Sequence, residues 1–176
     1  YSVSTDVLGY LVEVLSGMKL DEYFKKNIFE PLDMVDTDFS CPEEKKDRLA
    51  ALYEHDPKGD PRLLEIPFLN TKMLSGGGGL FSTMSDYYNF CSMIIGQGEF
   101  NGRRLIGRKT IELMSCNHLP DGQDLTEMSK SAFSETPFAG VGFGLGFSVM
   151  LDPAKSQSLS DAGEYGWGGA ASTVFM

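Results

Sequence analysis

Residues 1–39 read YSVSTDVLGYLVEVLSGMKLDEYFKKNIFEPLDMVDTDF. Val7, Leu8, Leu11, Val14 and Leu15 recur at the spacing that lines one stripe of a helix. Thr5 or Asp6 is the expected N-cap, and Gly17 the expected left-handed residue past the end. A second, shorter helix is expected from about Asp21 through Tyr23, Phe24 and Ile28. It should stop near Pro31, because the residue before a proline avoids the helical region.

Outward from there, residues 40–67 are charged and broken by HDPKGDP (55–61), which reads as a turn between two weakly extended stretches. In SGGGGLFSTMSDYYNFCSMI (75–94) the glycines form a loop, and Thr83 with Asp86 opens a helix that ends near Gly96. GRKTIELM (107–114) is a further helix, and the polar run 117–137 has no periodicity and reads as a long loop. The period then changes. VGFGLGFSVML (141–151) and YGWGGAASTVFM (165–176) read as two strands joined by the hydrophilic DPAKSQSLSDAGE (152–164). The expected organisation is a helical and loop region, 1–137, followed by a β-hairpin, 138–176, that belongs to a larger antiparallel sheet.

The 176 residues, 41% of them apolar, describe a globular chain, and the formal charge of −10 argues against nucleic acid or an anionic membrane as partner. No apolar run approaches the ~20 residues that span a bilayer. Cys41, Cys91 and Cys116 are scattered and odd in number, which suits free thiols rather than a disulfide framework.

Ser16-Gly17-Met18-Lys19 has a Ser-x-x-Lys spacing. That pair works when both residues sit on the first turn of a helix, where the lysine can take the serine's proton and the dipole favours an alkoxide. Ser16 instead falls at the C-terminal end of its helix, and Gly17 interrupts the helix before Lys19. Ser16 is a decoy.

Four segments in order carry a family resemblance: residues 1–39, GGGGLFSTMSDYYNFCSMIIGQGEFNGRRLI (76–106), GFGLGF (142–147) and YGWGGAAST (165–173). Together they resemble the β-lactamase-like serine hydrolases over nearly the whole chain, and within them the carboxylesterase branch often called family VIII. The resemblance implies an α+β fold of the β-lactamase/transpeptidase type, here mostly its helical region with two strands of an incomplete sheet. In that family a Ser-x-x-Lys helix, a Tyr-x-Asn-like loop and a strand bearing Lys-Thr-Gly or a variant meet at one site. The resemblance sets Tyr1-Ser2-Val3 on the second element and Trp167-Gly168-Gly169 on the third. The first element is then expected upstream of Tyr1, and further strands and a closing helix after Met176, so the chain is expected to be an interior fragment.

By the same resemblance a serine would attack an ester or amide carbonyl of a small substrate, and water would later free the acyl group. Tyr1 would shuttle the proton, its phenol lowered from about 10 by a neighbouring lysine. The amide of Ala170 would donate to the oxyanion, with Gly168 and Gly169 letting substrate approach the backbone. Trp167 replaces the lysine that holds the carboxylate of β-lactams, and Val3 replaces the amide side chain that helps bind their acylamino group. Both departures favour simple esters. A β-lactamase or D-amino-acid peptidase, and a non-catalytic binding module of the same fold, are the competing expectations. The chain by itself is expected to be inactive.

No cofactor or metal is implied. The glycine run lacks the Gly-Lys-Ser/Thr ending of a phosphate loop, and His55, His118 and Cys116 lack metal-ligand spacing. There is no Gly-x-Ser-x-Gly nucleophile elbow. Asp33 stands where family members usually carry glycine; aspartate tolerates a left-handed backbone better than most residues, so local strain alone is expected there.

Overall fold

The computed structural model describes residues 3–54, 59–64, 72–129, 138–169, 171 and 173–176. They fall into two compact units, Tyr1–Leu105 and Ile106–Met176.

In the first unit, α1 spans Ser4–Ser16 and ends on Gly17, left-handed at φ 69°, whose amide donates to the Glu13 carbonyl. The helix begins two or three residues earlier than its cap candidates suggest. Val3 is the N-cap, and Thr5 and Asp6 lie inside the first turn, where Asp6 complements the dipole. The buried position of α1 is Gly9, whereas the apolar stripe faces outward, with Val7 61% and Leu15 78% exposed.

Helix α2, Leu20–Phe24, runs on as a wide π turn over Lys25–Phe29 and a tight 3-10 turn over Glu30–Leu32. The helical path therefore ends near Pro31 as expected, one residue past it. The proline enters at the start of the tight turn, where its missing N–H costs nothing. Asp33 then closes the run in the left-handed region at φ 55°.

Leu20, Phe29, Leu32, Met34 and Phe39 form the core with Met93 and Ile94 of α3, Met84–Ile95. Phe24 meets Phe29 edge-on at 5.9 Å and stacks on Phe39 at 5.8 Å. The Thr83 hydroxyl accepts the Asp86 amide at 3.2 Å, as the sequence suggests. The Asp86 carboxylate does not return to the cap. Its Oδ2 accepts from the Asp36 amide at 2.7 Å and the Thr37 hydroxyl at 2.8 Å, tying α3 to the chain after Asp33.

A tight turn over Glu43–Arg48 precedes the antiparallel pair β1, Leu52–Glu54, and β2, Arg62–Leu64, with Leu52 opposite Leu64. A second pair, β3 (Glu99–Phe100) and β4 (Arg103–Arg104), follows α3. Asn101 and Gly102, both at positive φ, make its two-residue turn. The Asn-Gly signal stands in the sequence, but the flanking strands are two residues each and carry no apolar alternation to mark a hairpin.

The second unit opens with α4, Arg108–Met114, which buries Ile111. A 3-10 turn over Pro120–Gly122 and α5, Leu125–Met128, occupy part of the run expected to be loop. Helix α5 exists because Asp124 and Glu127 form a reciprocal capping box, an Asp-x-x-Glu legible in the sequence.

The expected two-stranded hairpin is a four-stranded antiparallel meander in the order β5-β6-β7-β8. Its strands are β5 (Val141–Phe143), β6 (Ser148–Met150), β7 (Tyr165–Gly168) and β8 (Val174–Phe175). Each expected long strand folds back on itself at glycine. The Gly144 amide donates to the Phe147 carbonyl at 2.8 Å, and Gly146 sits at φ 108°. Between β6 and β7 a single turn, α6 (Pro153–Ser156), is capped by Asp152. Val141, Phe147 and Val149 are buried with Ile111.

Two side chains brace the edge of β5. Asn117 accepts from the Phe143 and Leu119 amides and donates to the Gln123 carbonyl. Asp124, nearly buried, accepts from the Gly140 amide at 2.8 Å and lies 3.6 Å from the Lys155 ammonium. Burial pushes the Asp124 carboxyl up, but the Gly140 and Glu127 amides and Lys155 outweigh it, so its pKa is lowered.

Candidate active site

Tyr1 and Ala170 lie outside the described residues. Trp167 and Gly168 end β7, opposite Phe175 and Val174, and Gly169 follows with its amide donating to the Thr173 carbonyl at 2.7 Å. The Gly169 N–H is therefore committed to the sheet. Gly168 and Gly169 are exposed, leaving the backbone open to a ligand at that end of β7. The Trp167 ring meets Phe143 edge-on at 5.1 Å. Next to it on β7, Tyr165 stacks on Phe147 at 4.8 Å.

Ser16 is the last residue of α1, and its Oγ accepts the Met18 amide at 3.2 Å. Lys19 is exposed, and its amide, not its ammonium, is tied to the Glu22 carboxylate at 3.4 Å. Nothing in this arrangement activates the hydroxyl. Ser16–Lys19 is also the one Ser-x-x-Lys among the 176 residues.

The glycine run makes a turn seated on the first turn of α1. A methyl on Gly76 would overlap the Thr5 carbonyl, and Gly9 and Gly76 meet closely enough that a Cβ on Gly9 would stand 3.0 Å from the Gly76 Cα. The Ser75 hydroxyl donates to Asp6 at 2.5 Å. Sequence reasoning missed this pair, since 69 residues separate its partners. A groove of about 560 Å³ opens beside it, lined by Asp6, Tyr10, Glu13, Lys19 and Lys72.

A second cavity, of about 590 Å³, is lined by Phe29, Asp36, Cys41, Lys45, Arg48 and Phe81 among others. Three of its charged side chains, Asp36, Lys45 and Arg48, are paired with one another. Arg48 grips Asp36 with two bonds of 2.9 Å, and Lys45 adds an ion pair at 2.7 Å. The Arg48 bond, then that of Lys45, holds the Asp36 carboxyl well below the usual carboxylate range.

The His118 ring nitrogen Nε2 is hydrogen-bonded to the Leu113 carbonyl at 2.8 Å. His55 lies outside the described residues.

The family model for β-lactamase matches residues 1–176. The chain belongs to the β-lactamase family. Protein Rv1367c of Mycobacterium tuberculosis is 34% identical over 185 residues, covering 98% of this chain and 44% of its own length. A lovastatin esterase of Penicillium rubens is 27% identical over 199 residues, covering all of this chain and 46% of its own. The chain thus spans less than half the length of these relatives. Among solved structures, EstCE1, described as a hydrolase with promiscuous acyltransferase activity, superposes with a TM-score of 0.73. It is 25% identical, with 96% of this chain and 45% of that one covered. The family is one of hydrolases and acyltransferases on the β-lactamase fold, and the mixed helices and small antiparallel sheets described above are that fold.

Proposed function

We propose that this chain forms part of the catalytic domain of a serine carboxylesterase that works through an acyl-enzyme. The observation that carries the reading is the aromatic end of β7. Where a β-lactam site needs a cation for the ligand's carboxylate, position 167 holds an indole set edge-on against Phe143. An aromatic wall favours an uncharged, apolar acyl or alcohol group over an anionic one.

In this reading Tyr1 moves the proton between nucleophile and leaving group, and the Ala170 amide donates to the developing oxyanion. The serine and its lysine come from sequence beyond these 176 residues, because the one Ser-x-x-Lys present lies at the wrong end of its helix. The similarity to a lovastatin esterase and to EstCE1, a hydrolase with promiscuous acyltransferase activity, supports ester chemistry. The second also supports a variant outcome, capture of the acyl group by an alcohol instead of water.

The test is turnover of a p-nitrophenyl ester and of a chromogenic cephalosporin by the full-length protein, with and without a small alcohol. Ester hydrolysis well above cephalosporin hydrolysis is expected, with transfer product appearing when alcohol is added. A preference for the cephalosporin would overturn the reading in favour of a β-lactamase. Inactivity on both would favour a binding module. The 176-residue chain alone is expected to release no p-nitrophenol above background.

A further inference from the structure

We propose that Asp6 and Ser75, with the glycine turn behind them, are positioning residues that hold the start of α1 so that Tyr1 can transfer its proton. The proposal rests on the reading of Tyr1 given above. Three successive residues of one loop grip a single helical turn. The Ser75 hydroxyl donates to Asp6 Oδ1 while its oxygen accepts the Gly77 amide at 3.1 Å. Gly76 lies against the Thr5 carbonyl and Gly9, and a methyl on Gly77 would overlap the Thr5 hydroxyl. Side chains larger than hydrogen are thus excluded at 76 and 77, and the loop can sit directly on the helix backbone.

A hydroxyl donating to a carboxylate is among the stronger neutral-to-charged hydrogen bonds, and here the amide behind it polarises the hydroxyl further. Asp6 in turn sits at the positive end of α1. Val3, the N-cap, is within one turn of Thr5 and Asp6 and two residues after Tyr1 in the chain. A proton shuttle needs its hydroxyl set to a fraction of an ångström, and misplacement by about 1 Å costs up to roughly a hundredfold in rate. A turn held only by its own helix would fray at its first residues. One clasped by a loop 69 residues away does not.

The experiment uses the full-length protein and a p-nitrophenyl ester. Ser75→Ala is expected to lower kcat by about ten- to a hundredfold with KM little changed, and to move the limb of the kcat–pH profile assigned to Tyr1. Ser75→Thr keeps the hydroxyl and should restore most of the rate. Combined with Tyr1→Phe, Ser75→Ala should cost nothing more, because the two act as one unit. Should Ser75→Ala fold poorly, Asp6→Asn keeps the shape and the acceptor oxygen while removing the charge, and should give the same kcat loss and profile shift. Full kcat in the Ser75 and Asp6 variants, or a loss that adds in full to that of Tyr1→Phe, overturns the clasp and leaves Tyr1 its role. Full activity in Tyr1→Phe overturns the role of Tyr1 and the clasp with it.

Discussion

Phe143 meets Trp167 edge-on, with ring centroids 5.1 Å apart and planes at 83°. Phe143 is the last residue of β5 and Trp167 lies on β7, so the contact reaches across β6. An edge-to-face pair of this kind is worth about 0.5–1.5 kcal/mol beyond the area it buries. Trp167 is the single tryptophan of these 176 residues, so in the 176-residue chain emission excited selectively at indole reports on it alone. Phe143→Ala should shift its emission to the red and lower the denaturation midpoint. Unchanged emission would show that Phe143 does not hold the indole.

Trp167 also carries the specificity argument. Trp167→Lys places an ammonium at the end of β7, where a ligand carboxylate could meet it. The variant should lose turnover of apolar esters and gain affinity for a carboxylate-bearing β-lactam, with a gain that shrinks as salt is raised. Competition of a penicillin against the ester substrate measures it. Loss of ester turnover with no gain for penicillin would leave Trp167 a packing residue only.

Ser16→Ala should leave ester turnover at the level of the unaltered protein. Its Oγ accepts one amide, from Met18, in a C-cap turn that Gly17 already defines. The expected change in stability is within about 0.5–1 kcal/mol, read as a denaturant midpoint. Abolished turnover in a folded Ser16→Ala protein would make Ser16 the nucleophile and remove the basis of the proposed mechanism.

Stability should fall on the acid side. Asp36 is held low by Arg48 and then Lys45, and Asp124 is lowered by the Gly140 and Glu127 amides and Lys155 against the opposing effect of burial. Unfolded, both carboxyls return to about 3.9. Each group therefore contributes fully above that value, and the contribution is lost as pH falls through the lower folded-state pKa. Urea midpoints measured from pH 7 downward should hold nearly level to about pH 4–5 and then drop. Asp36→Asn should flatten part of the drop, modestly, since the Arg48 and Lys45 ends of its pairs are solvated. An identical acid profile in Asp36→Asn and Asp124→Asn would rule both carboxyls out as its source.

Much of the local structure was legible because its causes lie within one turn of chain. Gly17, Thr83 and Gly96 bound their helices through backbone or side-chain bonds spanning three or four residues. The Asp124–Glu127 box and the Asn101-Gly102 turn were equally local. They went unread among polar residues with no apolar period around them. The proposed site rests on the resemblance carried by four motifs in order, since Tyr1 and the Trp167 strand stand at opposite ends of the chain.

By itself, then, the sequence determined where α1, α3 and α4 run, the free state expected of the thiols, the acidic charge and the family. What it could not determine were relations between distant residues. Asp86 has the spacing of a capping residue, yet its carboxylate binds the Asp36 amide and Thr37, about 50 residues away, because burial there demands that those donors be met. Two apolar runs that alternate like long strands fold back at Gly144 and after Gly168, because only the neighbouring strand decides where a glycine bends the chain. Gly76 and Gly77 read as a loop with no assigned partner until α1 is set against them. Local hydrogen bonds are specified by residues that adjoin in the chain. A close approach of backbones needs both partners in place, and only the tertiary structure brings them together.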